Sequence, residues 1–437
     1  MNRRQFLGAM TLPAIPAALP PIPEPEWSRP EALARVFESF ARVANGDPVA
    51  DARNEDLWRE VQQAFTGDRT KINLNNGGCC PSPRVVQEAM QRLLAFSNDL
   101  PTHNLWQILE PQREPLRQRM AKQWACDPEE IAFTRNTSES LQTLQFGMKL
   151  ERGDEVITTT QDYPRMLTAF EQRRRRDGIE VNPIQIPVPC EDDAEIVRRF
   201  EAAITPRTRM ILMCHAINLT GQLLPVRAVV AMARKRGIPV LVDGAHTFAH
   251  LDFTFPDLDC DYFGTSLHKW LFAPHGTGLL YVRKNKIDSI WPLFAAPESL
   301  DKDIRKFEEI GTHPAANTLA IGEALSFHQG ITPRRKQERL YYLREVWTSR
   351  LAKQARVHFN TSLDRRWSIG IGNVRVDGLD TLKLQAHLWQ KHRIWTTAID
   401  HAEFNGLRIT PSVQTTLEEL ERFCEAIESA IATGLPA

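Results

Sequence analysis

The segment Ile238–Phe272, IPVLVDGAHTFAHLDFTFPDLDCDYFGTSLHKWLF, contains the pattern that decides the fold. An apolar run ends in Asp243, and a second run that begins at Tyr262 leads to Lys269. Short apolar runs that end in polar residues are typical of buried parallel strands, whose carboxyl ends carry the ligand sites. The segment therefore predicts two neighbouring strand ends that present Asp243 and Lys269 at one edge of a sheet.

Outward from this segment, short apolar runs alternate with amphipathic helical stretches. Such alternation is typical of an α/β fold in which crossover helices connect parallel strands. We predict a large domain with a mostly parallel seven-stranded sheet covered by helices on both faces. The predicted strands are Ile131–Thr134, Glu155–Thr159, Val181–Ile186, Arg209–Cys214, Val240–Asp243, Tyr262–Thr265 and Gly278–Val282. The helices predicted between the earlier ones are Ser138–Lys149, Arg165–Arg176, Asp193–Ala203 and Val226–Arg236.

The pattern changes near Pro333, where a long charged helix begins. A few strand-like runs around Ile369–Val376 and helical stretches from Leu379 and Thr416 follow. We predict a smaller C-terminal α+β domain over residues 333–437, after a large cofactor-binding domain over residues 71–332. A helical segment over residues 26–70 and a tail over residues 1–25 precede them.

The N-terminal tail has the order of a twin-arginine export signal. Arg3 and Arg4 precede Phe6 and Leu7, and a weakly apolar stretch follows over Ala9–Leu19. Prolines interrupt this stretch, and it is too short to span a bilayer, so we expect no membrane anchor. The order predicts a periplasmic protein, whereas the alternative is a disordered tail that contains two arginines by chance.

Composition restricts the classes of partner. The chain has 437 residues, of which 42% are hydrophobic and 25% are charged, as in ordinary globular proteins. The 54 Lys and Arg residues balance the 54 Asp and Glu residues, so no net field favours nucleic acid or an anionic membrane. A small-molecule partner is expected. The seven cysteines lack metal-ligand spacing, and neither a metal site nor a disulfide framework is expected.

Three other strand ends carry polar or aromatic residues. Thr137 and Ser138 open a helix, where hydroxyls and free N–H groups suit a phosphate but are equally ordinary helix caps. Tyr163 follows the next strand, where its ring would cover a planar cofactor or pack in the core. Asn218 and Thr220 follow Cys214 in sequence and would reach a phenolic oxygen or cap a loop.

Asp243 and Lys269 together restrict the kinds of site that this sheet edge can form. A carboxylate that leaves a buried strand is costly unless it meets a cation, and a structural ion pair between the two residues is one explanation. Pyridoxal 5′-phosphate (PLP) explains more features. Lys269 would form a Schiff base with its aldehyde, and Asp243 would keep its pyridine nitrogen protonated, so that the ring withdraws electrons.

At DGAH and SLHKW the sequence resembles the class V aminotransferase family of fold-type I PLP enzymes. This family includes cysteine desulfurases, isopenicillin N epimerase-like proteins and kynureninase-like lyases. The resemblance extends from Ile72 to the last helix. It implies the type I PLP-dependent transferase fold and an enzyme that uses PLP.

The resemblance also implies which residues contact the cofactor. Asp243 matches the partner of the pyridine nitrogen, and Lys269 matches the Schiff-base lysine. The remaining matches are Thr137, Ser138, Ser266 and His268 at the phosphate, Tyr163 and His246 at the ring, and Asn218 near the cofactor oxygen.

Two further stretches resemble family segments that complete the site. In EEIGTHPAANTLA, Thr312 matches a threonine that reaches the phosphate of the neighbouring subunit, which implies a homodimer with shared active sites. In GLRITPSVQTTLEEL, Arg408 matches the residue that clamps the substrate carboxylate, and Asn76 is expected to assist it. The alternative for Arg408 is a surface ion pair.

Two departures from the family pattern bear on the reaction. The stretch HRIWTTAIDHAEFNG lacks the nucleophilic cysteine of cysteine desulfurases, and Tyr163 stands where desulfurases commonly have histidine. We therefore expect an aminotransferase or an epimerase-like enzyme that acts at the α-carbon of an amino acid or amino-acid-containing compound. The alternatives are a PLP-dependent lyase, a periplasmic enzyme that tailors a siderophore or peptide, and a catalytically silent binding protein.

Overall fold

The computed structural model describes residues 31–43 and 46–435. The strands found within these residues are numbered β1 to β13 in chain order. They are Ile72–Asn73, Ile131–Thr134, Glu155–Thr159, Glu180–Ile184, Thr208–Cys214, Val240–Asp243, Tyr262–Ser266, Gly278–Val282, Val357–Phe359, Gly372–Val376, Ile394–Trp395, Thr397–Asp400 and Asn405–Ile409.

The α-helices of the same residues are numbered α1 to α16. They are Glu31–Arg42, Pro48–Asp51, Glu55–Gln63, Arg84–Asp99, Pro101–His103, Arg113–Gln123, Thr137–Gly147, Pro164–Asp177, Asp193–Ala203, Val226–Arg234, Phe255–Leu258, Ala315–Leu319, Ile321–Ile331, Pro333–Leu351, Thr381–His392 and Leu417–Thr433. Among the described residues, no helix combines the length and the apolar composition that crossing a bilayer requires.

The large sheet has seven strands in the order β2-β8-β7-β6-β5-β3-β4. β8 runs antiparallel to both of its neighbours, and the other paired strands are parallel. This arrangement confirms the predicted fold class. One predicted strand shifts, because the edge strand covers Glu180–Ile184 rather than Val181–Ile186. At the centre, Asp243 pairs with Gly264 on β7 and with Cys214 on β5.

Helix α7 lies directly on β7. A Cβ atom on Gly264 would come within 2.9 Å of the Leu141 side chain, so the absence of a side chain lets the helix approach the sheet closely. Leu141 and Leu144 are fully buried in the core on this face. The close packing brings the start of α7, at Thr137, beside the end of β7, at Ser266.

The C-terminal part contains a four-stranded antiparallel sheet in the order β12-β13-β10-β9. Helices α14 and α16 pack on each other, and Trp347 is buried between Phe359 and Phe423. β1 pairs in parallel with β11, which attaches residues 72–73 to the C-terminal part of the chain. The predicted domain boundaries therefore stay predictions, because this pairing joins segments on either side of residue 333.

The first helices pack against the later part of the chain. Helix α1 contacts α13, and Arg335 on α14 forms a buried ion pair with Asp51 at 2.6 Å. Trp58 is fully buried with the Arg339 guanidinium over its ring. The predicted export signal, with Arg3 and Arg4, lies outside the described residues.

Candidate active site

A cavity of about 270 Å³ lies at the carboxyl ends of the central strands. The sequence places the ends of β5, β6 and β7 here because parallel strands end at a common edge. Nine predicted residues line the cavity, namely Thr137, Ser138, Tyr163, Asn218, Asp243, His246, Ser266, His268 and Lys269. The wall is completed by residues that are not among the predicted site residues, namely Gly78, Asn136, Arg165, Cys214, Ala216 and Ala245.

Lys269 presents a buried amine to the cavity. Its Nζ lies 3.2 Å from His246 Nε2. Burial, opposed by the Asp243 carboxylate and helped by the positive charge of Arg408, lowers the pKa of Lys269 to about 8. Roughly a tenth of the amine is therefore neutral at pH 7, and the neutral amine is the state that attacks a carbonyl carbon.

Asp243 ends β6 inside the same cavity. Its Oδ1 accepts a hydrogen bond from Ala245 N–H at 3.0 Å. Burial raises the pKa of the Asp243 carboxyl, and Lys269 opposes that change. Within the described chain, the two side chains make no ion pair within 4.0 Å, so the explanation as a direct structural ion pair is wrong. The carboxylate is left facing the cavity, where a protonated nitrogen would stabilise its charge.

Hydroxyl groups meet where α7 begins. The Ser266 hydroxyl accepts a hydrogen bond from Thr137 N–H at 2.9 Å and lies 2.7 Å from Thr137 Oγ1. Asn136 caps the helix by accepting from Glu139 N–H at 2.9 Å. Free N–H groups, hydroxyls and the positive end of the helix dipole together suit a phosphate group.

His268 forms the adjoining wall. Its Nδ1 lies 3.0 Å from the Thr277 carbonyl oxygen, and this contact requires Nδ1 to carry the proton. Burial lowers the pKa of His268 to about 4, so the ring is neutral near pH 7. His268 Nε2 is then an acceptor, which suits a protonated phosphate oxygen or a bridging hydroxyl group.

Two buried polar atoms of the cavity wall have no hydrogen-bond partner among the described residues. They are Asn218 Oδ1 and His246 Nδ1. Unsatisfied buried polar atoms cost free energy, so their presence on a cavity wall indicates a polar ligand. Together with the Lys269 amine, the Asp243 carboxylate and the hydroxyls at α7, this donor set fits PLP, which combines an aldehyde, a pyridine nitrogen, a phenolic oxygen and a phosphate.

Arg408 lies on β13, is only 7% exposed, and stands behind the residues that line the cavity rather than among them. Its Nη1 donates to the Asn218 carbonyl oxygen at 3.1 Å, and its Nη2 donates to Asn75 Oδ1 at 2.8 Å. Within residues 31–43 and 46–435 its Nε has no hydrogen-bond partner. Burial lowers its pKa to about 10, a value that still leaves it charged. The explanation as a surface ion pair is wrong, and a buried guanidinium of this kind suits a ligand carboxylate.

The position of Asn76 requires a correction. Its Nδ2 donates to the carbonyl oxygens of Asn73 and Thr410, and its Oδ1 accepts from Asn73 and Gln414. The amide is therefore fully used within the protein, and Asn75 contacts Arg408 in its place. Successive side chains of an extended segment point to opposite sides, and the sequence does not show which side faces the cavity.

Thr220 caps a loop and does not face the cofactor cavity. The residue is fully buried, and its Oγ1 accepts a hydrogen bond from Gln222 N–H at 3.3 Å. It is not part of the cavity wall. The adjacent Gly221 has φ +77 and lies so close to the Ile371 carbonyl that a Cβ would not fit. Thr220 thus stabilises a turn, and of this pair Asn218 alone lines the cavity.

Tyr163 stands at the start of α8, 38% exposed, on the open side of the cavity. The alternative that the Tyr163 ring packs in the hydrophobic core is therefore wrong. Arg165, two residues later on the first turn of α8, lines the same cavity. The motif Tyr-Pro-Arg directly after a predicted strand contained this signal, but an exposed arginine on a helix is usually a solvated side chain.

The C-terminal part packs against the loop that leads to Tyr163. Glu403, between β12 and β13, accepts hydrogen bonds from Thr160 Oγ1 and from Gln161 Nε2, the latter at 2.9 Å. His401 Nε2 lies 3.0 Å from the Thr160 carbonyl oxygen. These contacts hold the segment without cysteine against the loop that leads to Tyr163. Thr312 is exposed and lies outside the cavity wall, so its contact with a second subunit stays a prediction.

The chain has relatives of known function. A family model described as aminotransferase class-V matches residues 72–412. The chain is 28% identical over 389 residues to an isopenicillin N epimerase of Streptomyces clavuligerus, which covers 85% of this chain and 98% of that protein. It is 23% identical over 373 residues to a hercynylcysteine sulfoxide lyase of Schizosaccharomyces pombe, with 81% and 92% covered.

A solved structure shares the fold. The apo cysteine desulfurase from Thermococcus onnurineus superposes with a TM-score of 0.74 at 23% identity. The match covers 86% of this chain and 98% of that one. This likeness agrees with the mixed seven-stranded sheet and the covering helices described above.

Proposed function

The chain belongs to the aminotransferase class V family and is a PLP-dependent enzyme, and from that premise we propose that it acts at the α-carbon of an amino acid or an amino-acid-containing compound. The proposed reaction is epimerisation or amino transfer. The single observation that supports it best is the arrangement of Lys269, Asp243 and Arg408. A buried amine and a buried carboxylate line one polar cavity, and a buried guanidinium without an acidic partner in the described chain donates a hydrogen bond to the backbone of Asn218, which also lines it.

Each residue has a place in holding the cofactor. We assign the phosphate to Thr137, Ser138 and Ser266 at the start of α7, and the pyridine nitrogen to Asp243. Lys269 is the amine that would bond to the aldehyde carbon. When bound, PLP accepts the electron pair that remains on the α-carbon after one of its bonds breaks.

Lys269 is also the proposed general base. The lowered pKa of its Nζ, about 8, matches the pH range in which a base must both accept and return a proton. His246 Nε2, at 3.2 Å, holds the amine in position. Burial and nearby cations keep the pKa of His246 well below its usual value, so the ring stays neutral and accepts a hydrogen bond from Nζ.

Arg408 is proposed to orient the substrate. Its two hydrogen bonds, to Asn218 and Asn75, fix the plane of the guanidinium. A carboxylate bound in that plane fixes the direction of the bonds at the adjacent α-carbon, and this direction decides which bond breaks. Residues 392–406 contain no cysteine that could accept sulfur from a substrate. This favours epimerisation or amino transfer over a desulfurase reaction that uses a cysteine of this segment.

Exchange of the α-proton in deuterium oxide tests the proposal. Amino acids and glutamyl peptides would be incubated with the purified holoenzyme. Mass spectrometry would then measure deuterium incorporation and identify products, and chiral chromatography would determine their stereochemistry. We expect exchange with at least one compound, and none with Lys269→Ala, which should also lack the yellow cofactor absorbance. Lys302→Ala, at an exposed position, is the matched control. Full exchange by Lys269→Ala would remove the lysine from the reaction.

Export through the twin-arginine pathway and assembly as a homodimer remain proposals. The order Arg3-Arg4 before Phe6-Leu7 supports the first, and the stretch around Thr312 supports the second. Fractionation of cells that express the chain, with Arg3→Lys and Arg4→Lys together as the control, tests export. Sedimentation of the purified protein tests the dimer, and a monomer at micromolar concentration would exclude shared active sites.

A further inference from the structure

A second cavity, of about 420 Å³, lies behind the first. The two are separated by one stretch of backbone, because Gly78 lines the cofactor cavity and Cys79 lines the second. Trp389 and Trp395, whose rings meet edge to face at 5.3 Å, form part of its wall. The residues assigned above to cofactor and substrate leave this cavity without a role.

Cys79 and His275 both line this second cavity. Both residues are exposed. His275 Nε2 lies 3.2 Å from the Cys80 carbonyl oxygen, which fixes the ring beside the Cys79–Cys80 peptide. The neighbouring His275 imidazole lowers the pKa of the Cys79 thiol, and the charge of Lys269 acts in the same direction. The same contact raises the pKa of His275.

The other cysteines of the described chain have the opposite character. Cys80 is fully buried, its Sγ donates to the Asn76 carbonyl oxygen at 3.2 Å, and burial raises its pKa to about 12. The pKa of the half-buried Cys126 also rises to about 12, because burial and the nearby Glu130 and Asp127 disfavour its thiolate. Thiolate is the reactive form, so Cys79 is the expected nucleophile among them.

Gln414 gives a second, independent indication of a ligand. It lines the second cavity and is 9% exposed. The Gln414 Nε2 donates a hydrogen bond to Asn76 Oδ1. The Gln414 Oε1, in contrast, is buried without a hydrogen-bond partner in the described chain. An unsatisfied carbonyl oxygen in a cavity wall offers an acceptor to an N–H donor of a ligand. The charges nearby are largely balanced, since Lys71 pairs with Asp68 at 2.8 Å.

We propose that Cys79 and His275 form a thiolation site, in which the second cavity takes a small disulfide that carries amide N–H groups. The Cys79 thiolate attacks one sulfur of the ligand disulfide. A new S–S bond forms to Cys79, the ligand S–S bond breaks, and the other half leaves as a thiolate that takes up a proton from solvent. The ligand is the oxidant, so the electrons balance.

The position of Cys79 links this chemistry to the cofactor cavity. An adduct on Cys79 would stand next to Gly78, which lines that cavity. Thiolation is therefore expected to obstruct binding of substrate there. The inference does not depend on the proposed reaction, because the adduct forms without an amino-acid substrate.

The test uses the holoenzyme and limiting glutathione disulfide at pH 7, with each cysteine followed by peptide mass spectrometry. For a thiol whose pKa lies above the pH, each further unit of pKa lowers the thiolate fraction tenfold and raises the nucleophilicity of the thiolate about threefold. The rate of disulfide exchange therefore falls about threefold for each unit by which the pKa rises. We therefore expect Cys79 to react at least about thirtyfold faster than Cys126, given the higher pKa of the latter. Equal rates at the two cysteines in the unmodified protein would overturn the proposal.

Two variants test the parts of the site. His275→Gln should slow the Cys79 reaction about threefold or more, whereas His358→Gln, at an exposed histidine, should not change it. Gln414→Met should lower the rate with glutathione disulfide relative to bis(2-hydroxyethyl) disulfide, which has no amide N–H. An unchanged rate in His275→Gln, or an unchanged ratio in Gln414→Met, would count against the pair or the amide contact respectively.

Discussion

Lys269 illustrates how a single residue acquires its chemistry from burial. The ordinary lysine pKa leaves almost no neutral amine near pH 7, whereas the pKa of Lys269 is lowered to about 8. The charge of Arg408 contributes to this change and the Asp243 carboxylate limits it. The balance between these three groups sets the fraction of amine that is ready to react.

This pKa predicts how the apoprotein takes up PLP. The protonated amine cannot attack the aldehyde, so the rate of uptake should rise about tenfold per pH unit below pH 8 and level off above it. Stopped-flow absorbance between pH 6 and pH 10 measures the rate, with circular dichroism at each pH as the control for folding. A rate that keeps rising to pH 10 would indicate a lysine with an ordinary pKa.

Arg408→Lys tests whether the geometry of the positively charged group matters, since the charge itself is kept. Lysine keeps the positive charge but loses the planar fork that donates two parallel hydrogen bonds to a carboxylate. We expect KM to rise by about tenfold, equivalent to about 1.4 kcal/mol, for any amino acid that exchanges its α-proton. Steady-state kinetics measures the change. Arg366→Lys, at an exposed arginine paired with Asp364, is the control; similar KM values for both variants would place Arg408 outside the site.

At the scale of elements, the start of α7 is a binding surface made by a helix end. Asn136 has an extended backbone and accepts from Glu139 N–H, so the side chain fixes the first turn. That turn carries Thr137 and Ser138 to the cavity. The helix cap therefore serves both stability and the predicted phosphate contact.

Asn136→Ala should separate these two contributions. Loss of the cap should cost about 1 kcal/mol of unfolding free energy, and the displaced N–H groups should weaken PLP binding several-fold. Asp380→Ala removes an equivalent cap from α15, where Asp380 accepts from Lys383 N–H at 2.8 Å far from the cavity. Denaturant unfolding and PLP titration of both variants give the comparison. Equal losses of PLP affinity would show that the effect is general destabilisation.

At the scale of the whole molecule, the C-terminal part positions a residue for a cavity formed mostly by the large sheet. Arg408 is paired with Asn373 across β13 and β10. Behind these strands lies a core that contains the fully buried Trp347. The position of Arg408 beside Asn218, which lines the cavity, thus depends on packing among elements far apart in sequence.

Trp347→Ala should therefore affect both stability and substrate binding. Removing this side chain should lower the unfolding free energy by about 3–5 kcal/mol. We expect a lower melting temperature by calorimetry and a raised KM, because β13 loses support. Trp291→Ala, at a side chain 74% exposed, should change stability by less than about 0.5 kcal/mol. An unchanged melting temperature in Trp347→Ala would contradict the packing argument.

Local patterns predicted the central sheet and most of the cavity. Each strand of the large sheet is a short apolar run, and strands that run in parallel end at the same edge. Asp243, Ser266 and Asn218 could therefore be assigned to one cavity from their positions just after such runs. The resemblance at DGAH and SLHKW then pointed to a family that the matching model bears out.

The contacts that the sequence did not predict are non-local. Asn75 replaces Asn76 beside Arg408 because β1 pairs with β11 and brings residue 75 alongside Thr410. Glu403 reaches Thr160 across more than two hundred residues of sequence. Such pairings depend on which surfaces pack together, and no local periodicity encodes that choice.

The sequence by itself thus determined the α/β sheet, the order of its strand-end residues and the position of Asp243 and Lys269 at one edge of that sheet. The tertiary structure decided which polar atoms are buried without partners, which asparagine supports Arg408, and that Cys79 lies across one backbone segment from the cofactor cavity. The physical reason is that burial and hydrogen-bond satisfaction are properties of the packed molecule, whereas strand ends and their polar residues are properties of short segments.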